Sequence, residues 1–187
     1  MIDRMPPMDP AVMNDAQKKA AAELAAGPRK GVFGPFIPLL RSPDLMDRLG
    51  RVGEYLRFHN SIPPKLAELA MLITARHVTN QFEWVVHHPL AIKAGVARDT
   101  VEAVGEGRRP ANMPDDEALV HDFATELLAT HRVADATYAR AVKSLAEQGV
   151  VDLTGTIGYF TAVCYVMNVA QTPPPKSEVA LLEPLAS

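Results

Sequence analysis

The sequence predicts an all-α protein. Apolar residues recur at helical spacing along most of the chain, and Pro and Gly stand where helices have to start and stop. No stretch alternates apolar and polar residues between turn pairs, as strands would. At 187 residues the chain can bury one sizeable core, so a single domain with two extensions is expected. These are a helical arm over 1–30, a body over 31–172 and a Pro-rich tail over 173–187.

The elements follow in order. Residues 10–26 (PAVMNDAQKKAAAELAA) are rich in Ala, Lys and Glu and stop at Gly27-Pro28, the punctuation of a helix end. In GVFGPFIPLL, residues Gly31, Gly34, Pro35 and Pro38 forbid a regular helix. Phe33, Phe36, Ile37, Leu39 and Leu40 are too apolar for a solvated loop, so this segment is expected to lie on the domain's own surface or on another subunit. Ser42 is an N-cap candidate with Pro43 at the first helical position, ahead of an apolar stripe through Leu45, Met46, Leu49, Val52 and Leu56. Pro63-Pro64 opens the next helix, striped through Leu66, Leu69, Ala70 and Ile73. Residues 81–95 continue as helix, with a kink or restart expected after His88 because Pro89 lacks a backbone donor, and with Gly95 as terminator. A short helix with Asp99 or Thr100 near its start precedes the loop RRPANMP, and Asp115, Asp116 and Glu117 sit at the positive end of a helix running to about His131. A further helix from Asp135 is expected to close at Gly149, before a long apolar one.

Composition narrows the function. Charges of both signs are interspersed and net to -3, with no basic run to neutralise a row of phosphates, so nucleic acid is not an expected partner. The single cysteine, Cys164, lies in an apolar stretch, which leaves no disulfide framework, redox pair or thiolate cage. The first residues lack the apolar core of an export signal, so a cytoplasmic location is expected. Residues 153–170 approach the length of a membrane span, but they carry Thr154, Thr156, Thr161, Gly155, Gly158 and Asn168 without flanking Lys or Arg. They read as a buried helix, and no membrane association is expected.

One constellation carries chemistry. Glu83 and His87, four apart, share a helix face and can hydrogen-bond. A carboxylate beside an imidazole holds its proton and orients it, giving an acid usable near neutral pH. Glu68, in the apolar run LAELAMLI of the preceding helix, needs a partner, and a helical hairpin would bring His87 to it. With two carboxylates near it, the imidazole should titrate above its ordinary ~6.5 unless desolvation wins. Trp84 and His88 flank the pair, and Arg76 can clamp a substrate carboxylate through its fork. Blander readings compete: a Glu/His pair on a solvated face, Trp84 as a core anchor, Arg76 as a surface or ion-pairing residue, Cys164 as packing, and His59, His121 and His131 as surface histidines. A di-metal site needs Glu-x-x-His on each of two helices; here one Glu-x-x-x-His occurs, so no metal is expected.

The stretch ELAMLITARHVTNQFEWVVHHPLAIKAGV, with Glu68, Asn80, Glu83 and His87 at their spacing, resembles the signature region of the carboxymuconolactone decarboxylase and AhpD-like family. The resemblance covers residues 35–110 well and the later helices more loosely. In the AhpD branch a Glu, a Cys-x-x-Cys pair and a His form a peroxidase or disulfide-reductase site; here Asn80 and Glu83 stand at the cysteine positions. Without a thiolate nucleophile, thiol peroxidase activity is not expected. The run Glu83-Trp84-Val85-Val86-His87 is similar instead to the decarboxylase branch. That resemblance implies an AhpD-like helical fold, a trimer or hexamer, no cofactor, and loss of carbon dioxide from a small carboxylated lactone or related acid. His87 would be the proton donor, assisted by Glu83 and Glu68, with Arg76, Trp84, His88 and Asn80 around the substrate. Three classes stay open: such a lyase, a hydrolase or metal-assisted oxygenase on the same fold, and a non-catalytic oligomeric binding protein.

Overall fold

Amphipathic segments of this length can only hide their stripes against one another, and they do so around one central helix. The computed structural model describes residues 2–184 and contains eight helices and no strand among them. Helix α1 (Asp15–Ala26) starts later than the expected residue 10, at a capping box: Asn14 Oδ1 accepts from Gln17 N at 2.9 Å, and Gln17 Oε1 accepts from Asn14 N at 3.0 Å. The Gly/Pro-rich apolar segment forms one turn, α2 (Phe36–Leu39), in place of irregular chain. Its Phe36, Leu39 and Leu40 pack with Ala20 and Met46, so the protein's own α1 and α3 cover it.

Helix α3 (Pro43–Phe58) has Ser42 at its N-cap position without a side-chain capping bond. Its buried face runs through Met46, Gly50, Gly53 and Leu56, while Leu45 and Val52 of the expected stripe face solvent. The glycines bring neighbours close: a Cβ on Gly53 would overlap the Tyr159 hydroxyl and lie 2.8 Å from Arg29 Nη2. Helix α4 (Pro64–His77) is the hub and packs against α5 (Gln81–Lys93), α6 (Arg98–Gly105), α7 (Asp115–Thr130) and α8 (Asp135–Ala170). Lys65 ties its start to that of α7 through Asp116 (2.9 Å) and Glu117 (3.2 Å).

Two expected breaks differ. Helix α5 runs through Pro89 as one element, and Gly95, at φ 104°, takes the left-handed position just beyond the C-cap Ala94. Within α8 the interruption falls at Ala146 (φ 56°, ψ 174°) rather than at Gly149. Gly149 instead permits close approach, since a Cβ there would lie 2.6 Å from Leu145 Cβ. Beyond the break, Leu153, Ile157, Phe160, Val163, Cys164 and Met167 enter the core, and Val151, Tyr165 and Val169 face outward. This helix is long and apolar enough to cross a membrane, and 56% of its most apolar window is buried in the fold.

The terminal segments lie on the body. Arg4 N donates to Ala170 O at 2.8 Å, beside the end of α8. Residues 179–183 run along α4 and α5, where Gln81 exchanges two hydrogen bonds with the Leu182 backbone, both at 2.8 Å.

Asp152 joins three parts of the body, accepting from Ser61 N (2.9 Å), Ser61 Oγ (2.7 Å) and Tyr55 Oη (3.1 Å). Burial pushes its pKa up, but these hydrogen bonds outweigh it and hold the carboxyl below its ordinary value. Asp152→Ala should therefore lower the unfolding free energy by about 2 kcal/mol, read from urea unfolding at neutral pH. Because the folded pKa is depressed, that difference should be present above the ordinary carboxylate pKa and shrink as pH falls through the folded value.

Candidate active site

The turn between α4 and α5 sets the site. Thr79 N donates to Arg76 O at 3.0 Å and Asn80 N to Ala75 O at 2.8 Å, with Thr79 left-handed at φ 49°: a Schellman ending in which Thr occupies the usual glycine position. Asn80 then caps the next helix, its Oδ1 accepting from Glu83 N at 2.9 Å. One residue thus closes α4 and opens α5, folding them into a hairpin whose facing sides carry Glu68 and the Glu83/His87 pair.

His87 is 1% exposed. Its Nδ1 lies 2.7 Å from Glu68 Oε2 and its Nε2 3.1 Å from Glu83 Oε2, so each ring nitrogen faces a carboxylate. The ring meets Phe160 edge to face, centroids 5.2 Å apart. Burial alone pushes the imidazole pKa down, but the hydrogen bonds to Glu68 and Glu83 and their charges reverse this and raise it to about 9. At neutral pH the ring is an imidazolium, hydrogen-bonded through Nδ1 to Glu68 and ion-paired through Nε2 with Glu83, an acid held in the interior.

A cavity of about 30 Å³ opens beside His87 and Glu83, walled by Arg29, Phe33, Phe36, Tyr159 and Phe160 among others. Arg29 Nε and Nη2 are buried there without a hydrogen-bond partner. These two nitrogens form the side edge of the guanidinium, the fork that fits a carboxylate bidentately. The Tyr159 hydroxyl lies beside Arg29; burial raises its pKa and outweighs the opposing pull of the guanidinium, which keeps it a proton-bearing donor.

The other residues expected around the substrate lie elsewhere. Asn80 is consumed by structure: besides its cap, Nδ2 donates to Asn168 Oδ1 (2.8 Å) and Cys164 O (3.2 Å). Trp84 Nε1 donates to Ala180 O at 3.1 Å, its ring packing against Gly105 and edge-on to His88. His88 lines a surface recess with Pro89, Ile92 and residues 178–180. Arg76 Nη1 donates to Glu183 O at 2.8 Å, and the cavity it lines shares no residue with that of His87. Cys164 is buried in the core with its thiol pKa pushed up by burial. Sequence reading missed Arg29 and Tyr159; the only trace of Arg29 was a basic residue just before an unusually apolar loop. No cluster of three or more His, Cys, Asp or Glu side chains suited to a metal ion occurs among the described residues.

No family model matches the chain, and no curated protein matches it in sequence. Among solved structures it is similar to an alkylhydroperoxidase AhpD core, an uncharacterized peroxidase-related protein from Ralstonia eutropha JMP134, at 19% identity over 94% of this chain and 93% of that one, with a TM-score of 0.71. The fold is therefore AhpD-like.

His87 should titrate near pH 9 when its ring protons are followed by NMR. A midpoint near the ordinary imidazole value would contradict the paired geometry. Because the folded pKa is raised, the stability this group contributes should be complete below about pH 6.5 and should fall away as pH rises through about 9.

Proposed function

We propose that this chain is a cofactor-free carboxy-lyase of the carboxymuconolactone decarboxylase type, acting on a small carboxylated lactone or related acid. The observation that carries this reading is the imidazolium of His87, clamped between Glu68 and Glu83 at the wall of a cavity that also presents the unpaired Arg29 fork. The resemblance of residues 83–87 to the decarboxylase motif and the AhpD-like fold support it.

In this reading Arg29, rather than Arg76, holds a carboxylate of the substrate. The bond from ring carbon to the departing carboxylate breaks, carbon dioxide leaves, and the electron pair passes through the conjugated double bond onto the lactone carbonyl. The substrate is its own electron sink. The Tyr159 hydroxyl can donate to the developing oxyanion, and His87 delivers its Nε2 proton to carbon as the substrate displaces the 3.1 Å contact with Glu83. The neutral imidazole left between two carboxylates regains its proton from solvent, driven by the same charges that raise its pKa. A cavity of about 30 Å³ has room for a water or two, so substrate entry in this reading requires the cavity to widen.

The solved neighbour is described as peroxidase-related. A thiol peroxidase is disfavoured for this chain because its single cysteine is buried in the core. A second reading, a non-catalytic binding protein, is favoured by the closure of the site around His87.

A screen of γ-carboxylated unsaturated lactones for carbon dioxide release separates them. The lyase reading expects turnover that His87→Gln lowers at least about 100-fold, while Arg29→Met acts mainly through KM. Turnover unchanged in His87→Gln would overturn the proton-donor role; tight binding without turnover would favour the second reading. We also propose a homo-oligomer, a trimer or hexamer, joined through the uncharged outer face of α8 at Val151, Tyr165 and Val169. Light scattering should show an oligomer that Tyr165→Glu dissociates, and a monomeric parent protein would remove the proposal.

A further inference from the structure

A second cavity, of about 390 Å³, lies between the C-terminal end of α4, the loop after α6 and α7. Its walls are mixed. Ile73, Val104 and Leu128 supply apolar surface, and Arg76, Arg108 and Arg109 supply positive charge. Most of the charged groups are already engaged. Arg109 and Arg140 both pair with Asp122, at 3.0 and 3.1 Å, and Arg108 pairs with Glu106. Glu126 accepts from Thr137 Oγ1 at 2.6 Å and from Ala134 N at 2.8 Å.

Arg76 is the exception. It is 4% exposed, and its Nη1 is satisfied by Glu183 O, yet Nε and Nη2 have no partner. An unpaired guanidinium edge sealed from bulk water is a costly arrangement. The two free nitrogens form the fork whose spacing matches two oxygens of one anionic group. The bond from Nη1 to the tail fixes the guanidinium plane, so the fork is oriented before anything binds. The neighbouring His77 and His121 both have pKa values lowered, first by burial, and so act there as neutral rings at pH 7.

We propose that this cavity is a second ligand site, distinct from that of His87, which takes a small carboxylate with an apolar body. The carboxylate reaches the Nε–Nη2 edge of Arg76 by a small shift of the side chains that cover it at the cavity wall, and the body lies against Ile73, Val104 and Leu128. Phosphate shares the anionic chemistry but cannot use the apolar wall. The site stands whether or not the His87 cavity houses a lyase.

Calorimetric titration of the full chain with sodium benzoate, and separately with inorganic phosphate, tests this. Benzoate should bind at one site per chain and more tightly than phosphate. Arg76→Met should weaken it by about tenfold or more. Should that variant fail to fold, Thr125→Glu decides: Thr125 is exposed at the cavity wall, and a carboxylate there should repel the ligand comparably. Arg29→Met should leave benzoate binding unchanged. Absence of benzoate binding at millimolar concentration would overturn the proposal. So would binding that survives Thr125→Glu, or binding lost in Arg29→Met, which would place the ligand beside His87. Phosphate binding more tightly than benzoate would overturn the assignment of an apolar body.

Discussion

One buried positive charge organises this molecule. An imidazolium as enclosed as His87 is unfavourable unless carboxylates meet it, and here two do, from two helices, one at each ring nitrogen. Each carboxylate is equally dependent on the ring. Glu83 is itself buried, and Glu68 stands in the apolar run of the hub helix. Removing one partner from such a group typically costs about 3–5 kcal/mol, because the others stay buried with charge unmatched. The crossing of α4 and α5 is therefore constrained at two places: by the trio midway along the helices and by the Asn80 turn at their join.

That turn shows how local chemistry carries into tertiary position. Thr79 holds the left-handed conformation without being glycine, which costs about 1–2 kcal/mol. Asn80 compensates by satisfying the first turn of α5 and by bonding to Asn168 and the Cys164 carbonyl on α8. Asn80 stands where the thiol branch of the resembling family has a cysteine, and in this protein it is a structural joint between three helices. The step from the Asn80 cap to Glu83 in the first turn of α5 thus separates a residue consumed by the fold from one that lines the cavity beside His87.

Much of the fold and the heart of the site were legible in the sequence because both rest on short-range spacing. Glu83 and His87 are one helical turn apart, and a two-residue link after α4 leaves the hairpin little choice of partner for Glu68. The rest depended on long-range approach. Arg29 and Tyr159 reach the site from the linker after α1 and from α8 respectively, and they meet over Gly53, whose missing side chain makes the room. Arg76 stands apart from His87 for a geometric reason: eight residues beyond Glu68, it is about 12 Å farther along α4 and turned by about 80°, and its side chain lines another cavity. The interruption of α8 falls at Ala146 rather than at Gly149, and the approach of Leu145 to Gly149 across it is a contact that composition does not show.

The two arginines show what likeness of fold leaves open. A TM-score of 0.71 at 19% identity ties the helical frame to an AhpD core but says nothing of what the frame binds. Function has to be read from groups that stability does not explain. Paired charges such as Lys65 with Asp116, or Asp122 with Arg109 and Arg140, account for themselves within the fold. Arg29 and Arg76 do not, since each leaves the same two nitrogens, Nε and Nη2, without a partner. A fold selected for stability alone would replace such a side chain with an apolar one of similar volume. Two forks without partners, each on a residue that lines a cavity, are what the fold's own pairing leaves over, and the imidazolium stands beside only one of them.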